Sequence, residues 1–113
     1  MTAFVRIEDV QSSPQFGNCG PEGWAFALWG SATCQEEVHR RLIESVAALS
    51  PNAQLRLPEW VAGEDCIEGS MLWEGAPVWI WFETVLNFTS FWSANRRSID
   101  SLRAAALPLA RAA

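Results

Sequence analysis

The stretch Met71–Trp92 limits this chain's folding more than any other, because it reads as three β-like runs broken by Gly75-Ala76-Pro77 and by Asn87. In the middle run Val78, Ile80 and Phe82 alternate with Trp79, Trp81 and Glu83. Successive side chains on a strand point to opposite faces, so one face is wholly apolar and the other carries two indoles and a carboxylate. Such a run suits a central strand, or one whose second face is also covered. The Gly-Ala-Pro and Asn joints favour antiparallel hairpins over crossovers.

Elements on either side extend this sheet. Phe4–Val10 alternates apolar and polar residues and reads as a half-buried first strand, while Gln11–Gly23, with its prolines and glycines, reads as a long loop. Trp24–Trp29 lies between Gly23 and Gly30 and suits a buried strand. Thr33 and Glu36 have the spacing of a capping box, ahead of a helix from about Cys34 to Leu49. Val38, Leu42, Val46 and Leu49 share one arc of that helix, and Glu36–Arg40 and Glu37–Arg41 are spaced for ion pairing. Ala53–Val61 reads as an edge strand because of Pro58, and Ala62–Ser70 as an acidic loop. Ser93 and Asn95 are candidate N-caps for a second helix with an apolar stripe of Ile99, Leu102 and Ala106. Pro108 should end or kink that helix, leaving 108–113 as a loose C-terminal tail.

The expectation is a single α+β domain over residues 1–113: a mostly antiparallel sheet of five to six strands, with two amphipathic helices packed on one face in the order ββαβββ(β)α. A chain of 113 residues can bury roughly 65% of its unfolded surface without metal or disulfide staples. No apolar run approaches a membrane span, residues 1–20 lack a signal-like pattern, and three cysteines leave one unpaired in any scheme. A soluble, cytoplasmic protein without membrane attachment is expected. A net charge of −5 argues against a nucleic-acid partner, since phosphate binding needs a basic face.

Several residues could carry chemistry. His39, the single histidine, falls on the inward arc of the first helix. It is either a buried neutral imidazole or a general base lining a pocket, with Glu83 or Glu74 as orienting partner. Cys19 stands in a Gly-rich loop ahead of Trp24-Ala25-Phe26, and this segment resembles the nucleophile segment of papain-like cysteine proteases over about a dozen residues. Gly23 occupies the place of that family's nucleophile and the spacing is one residue too long, so no protease activity follows. Cys19 as a separate thiol nucleophile activated by His39 stays a weak candidate. The cysteines and the histidine are too scattered for a zinc pattern, and no metal or cofactor is expected.

Charge and indole distribution says more. From Leu57 to Asn95 there are six acids and no base, while the remainder carries eight bases against seven acids. The same segment holds five of the seven tryptophans. Indole faces beside carboxylates attract organic cations, or the Arg and Lys of a basic protein. Trp73, Glu74, Trp79, Trp81, Glu83 and Trp92 are therefore candidate ligand- or partner-binding residues. The competing reading is that these rings fill the core and the acids solvate the surface. Arg96 and Arg97 oppose the dipole of the second helix in its first turn; local acids could offset them, or the pair, beside Trp92, could grip an anion. Three functions follow in order: a non-enzymatic module binding a cationic or aromatic small molecule or a basic protein, a homodimer joined through the Trp face, and a small enzyme using His39 as base.

Overall fold

A computed structural model of the protein describes residues 3–14, 20–59 and 65–113. Among them the chain forms β1 (Phe4–Ile7), β2 (Gln11–Pro14), β3 (Glu22–Gly30), α1 (Glu36–Ala47), β4 (Cys66–Trp73), β5 (Ala76–Glu83), β6 (Phe88–Ser93) and α2 (Arg96–Ala112). The six strands make one antiparallel sheet in the order β1-β3-β6-β5-β4, with β2 paired to the other half of β3. Both helices lie on the same side, giving the expected two-layer α+β arrangement.

The faces sort as the alternation in β5 requires. Val78, Ile80 and Phe82 are 1%, 0% and 1% exposed and point toward the helices. Phe91 of β6 and Phe26 and Leu28 of β3 join them, stacked against Leu42, Ile43 and Val46 of α1 and Ile99, Leu102 and Ala106 of α2. Burying each of the larger side chains, Ala106 apart, stabilises the fold by about 1.5–3 kcal/mol. The helices thus cover one sheet face, and among the described residues no helix covers the other.

Three left-handed residues fix the hairpin registers. Glu74 (φ 49°) and Gly75 (φ 83°) form the two-residue turn that joins Trp73 to its partner Ala76. Ala76 and Pro77, expected in the joint, already belong to β5. Thr84–Asn87 link β5 to β6, closing on Asn87 (φ 64°), whose side chain tolerates this conformation better than most.

Five local expectations are corrected. Helix α1 is capped at Gln35 without a side-chain bond, and Thr33 instead bonds the Ser31 hydroxyl at 3.0 Å, so the Thr33–Glu36 capping box does not form. Glu36 pairs with Arg40 at 2.8 Å. The expected loop at Gln11–Gly23 contains β2, and the expected acidic loop at Ala62–Ser70 contains the start of β4. Of the expected edge strand at Ala53–Val61, the described part makes only the bridge Arg56↔Ser70, because Asn52 and Gln54 take left-handed conformations and Pro58 supplies no N–H. Residues 60 and 61 of that strand lie outside the described residues.

The fifth correction is the tail. Helix α2 runs through Pro108 to Ala112, and Ala110 is fully buried. Proline removes the bond to the Ala104 carbonyl, but Ala104 and Pro108 sit on the exposed side, where water can satisfy that oxygen. Burial of Ala106 and Ala110 and a 3.1 Å bond from the Ala3 amide to the Ala113 carbonyl hold the segment down. Among the described residues, no helix is long and apolar enough to cross a membrane.

Candidate functional site

The helix-free face is built from register. Cross-strand pairs Trp79↔Trp92, Trp81↔Ser90 and Glu83↔Phe88 align β5 with β6. Ala25 then meets Trp92, Ala27 meets Ser90 and Trp29 meets Phe88. Small side chains at Ala25 and Ser90 sit between the large rings, and the sheet surface dips there. The result is a hollow of about 270 Å³ walled by Trp81, Phe88 and Trp92, with Ser13 and Pro14 of β2 on one rim and Glu83 on another.

Each wall is held. The Trp92 Nε1–H donates to the Ser13 carbonyl at 2.9 Å, tying the ring to β2 and leaving it 6% exposed. Gly23 makes this possible, since a Cβ there would collide with the Trp92 indole and come within 2.7 Å of the Ser93 carbonyl. Phe88 packs on Trp29 with ring centres 4.7 Å apart, and Trp29 donates to Glu8 at 3.1 Å. Trp81 and Glu83 are half-buried. Glu83 is the charged side chain of the hollow, and its carboxylate has no hydrogen bond or ion pair among the described residues.

The remaining candidates are dispersed. Trp79 shares the open face and is 40% exposed, but it borders a second hollow of about 180 Å³ with Gln54, Arg56 and Ser70. Arg56 therefore brings a base to that end of the acidic surface. Trp73 points to the helix side, 4% exposed, and donates to the Ser101 hydroxyl at 3.2 Å, which in turn donates to Glu74 at 2.6 Å. Trp73 and Glu74 thus fasten the tip of a hairpin to α2 and stand apart from the hollow. Arg96 lies 4.5 Å from the Trp24 ring and 3.7 Å from Asp100, on the helix side and not beside Trp92. Those two partners offset its unfavourable place at the helix start; Arg97 is exposed.

His39 is fully buried, and neither Glu83 nor Glu74 is its partner. Asn87 turns its amide nitrogen to the Ser31 carbonyl at 2.8 Å, so its oxygen faces the imidazole Nε2 at 2.7 Å. That oxygen can only accept, which puts the imidazole proton on Nε2 and leaves Nδ1 to accept from the Thr89 hydroxyl at 2.7 Å. Phe82 stacks on the ring and Phe4 meets it edge-on. Burial pushes the pKa below 6.5, against the opposing pull of the Asn87 bond and the Glu36 charge. With both nitrogens occupied, the arrangement joins α1, β6 and the Thr84–Asn87 turn into one unit. Cys19 lies outside the described residues; Cys34 is buried, which pushes its thiol up to about 11. Among the described residues, no three metal-ligating side chains are grouped to hold a metal ion.

Sequence reasoning missed Ser13, Pro14, Ala25, Phe88 and Ser90, which reach the hollow through strand pairing. The alternation Phe88-Ser90-Trp92 was the available signal. Together these observations define a two-layer α+β protein with an aromatic hollow on its open sheet face. No family model, curated protein or solved structure gives a significant match to the chain.

Proposed function

We propose that the protein is a binding module whose hollow at Trp81, Glu83, Phe88 and Trp92 receives a cationic or aromatic group, carried by a small molecule or a basic protein. The observation that carries this reading is the Glu83 carboxylate, half-buried and without a side-chain partner among the described residues, at the rim of a hollow walled by three aromatic rings. A cation placed there gains both the carboxylate and the ring quadrupoles, worth about 0.5–2 kcal/mol per well-placed ring. The net charge of −5 favours the approach of cations from a distance. A volume of about 270 Å³ is below the usual range for drug-sized ligands, so a single head group or side chain fits better than a large molecule.

The test is titration with organic cations, aromatic amines and a basic protein while following tryptophan emission. A saturable change that Trp81→Ala abolishes supports the reading; no response from any of these sinks it. A second reading is favoured by Trp79, a large ring 40% exposed on the same face. Two copies meeting there would form a homodimer, and sedimentation at micromolar concentration showing a strict monomer removes it.

A further inference from the structure

Resting on that reading, we infer that the occupant is a free small quaternary ammonium compound and not a guanidinium. Hydrogen-bond supply at the hollow decides between them. The Ser13 carbonyl is taken by the Trp92 indole and the Pro14 carbonyl by the Ser13 hydroxyl. The backbones of Trp81, Glu83, Phe88, Ser90 and Trp92 belong to paired antiparallel strands. Among the described residues, the side-chain acceptors left for a guest are the Glu83 carboxylate and the hydroxyl oxygens of Ser13 and Ser90, too few and too scattered to meet a planar fork of donors. A guanidinium brings a full fork of N–H donors, and those facing ring carbons would lose their water without replacement. A quaternary ammonium brings none: its methyl groups rest on Trp81, Phe88 and Trp92 while its charge answers Glu83. Among the described residues the hollow offers aromatic surface and a single charge, which is that cation's requirement. A phosphocholine lipid carries a phosphate that this acidic surface repels, which favours the free molecule as source.

The experiment compares tetramethylammonium, choline and guanidinium chlorides at matched ionic strength, by tryptophan emission and by saturation-transfer NMR on the ligand methyl protons. The expected result is saturable binding of tetramethylammonium and choline, with guanidinium weaker by about tenfold or more. Glu83→Gln should weaken both ammonium ligands by a similar factor, whereas Glu74→Gln, which removes the same charge away from the hollow, should leave them unchanged. Guanidinium binding as tightly as choline overturns the inference but leaves the cation-binding reading standing. Failure of every cation removes both. Two further arms test the source: a trimethyl-lysine peptide, or phosphatidylcholine vesicles, binding tenfold tighter than choline would overturn the assignment to a free molecule.

Discussion

His39 and Asn87 show how two polar side chains can specify a packing arrangement without reaching solvent. The imidazole is held neutral because burial disfavours the charged ring, and this outweighs the opposite pull of the Asn87 amide oxygen on Nε2–H and of the Glu36 charge. The folded chain therefore binds this proton more weakly than the unfolded chain. Its contribution to stability is full above a pH of about 6.5 and is lost as pH falls toward the lowered folded-state value. Urea unfolding should show stability declining as pH falls below about 6.5, and His39→Gln should flatten that decline while lowering stability at neutral pH by about 1–3 kcal/mol. Asn87→Asp should act in the opposite sense on the ring. A carboxylate at that 2.7 Å contact favours the imidazolium and raises the His39 pKa, which NMR titration of the single histidine reads directly.

At the scale of elements, α2 carries an avoidable cost. Pro108 interrupts its hydrogen bonding on the exposed side while Ala106 and Ala110 remain buried on the other. Pro108→Ala should restore the missing bond and raise stability by about 1–3 kcal/mol, read as a higher midpoint in thermal unfolding. The expectation that the helix stops at Leu107 weighed proline's local penalty and could not see the packing that outweighs it. Strands were legible where burial wrote a two-residue period, as in Val78-Ile80-Phe82. They were hidden where pairing alone made them: Gln11–Pro14 is a strand because β3 offers it an edge, and no apolar pattern marks it. In Cys66–Trp73, Gly69 and the surrounding acids masked the inward set of Ile67, Met71 and Trp73.

Across the whole molecule, the open face was legible as an alternation and the hollow was not. Trp81 and Glu83 are two residues apart in sequence, but Ser13, Ala25 and Phe88 join them only through register across β2, β3, β5 and β6. For the same reason Trp73 and Trp79, close to Trp81 in sequence, ended elsewhere. If the hollow binds a quaternary ammonium, occupancy must favour the folded state. At about a hundredfold excess over the dissociation constant, choline should add about 2.7 kcal/mol to the unfolding free energy and raise the melting temperature, whereas equimolar sodium chloride should not.

Position 23 gives the hollow an unusual dependence. The indole of Trp92 lies where any side chain on that residue would have to be, so one added carbon must lift the ring and strain its grip on the Ser13 carbonyl. Shape on this face is thus governed by an absence: a change that touches no ligand could still reset both the depth of the recess and the seating of the strand that borders it.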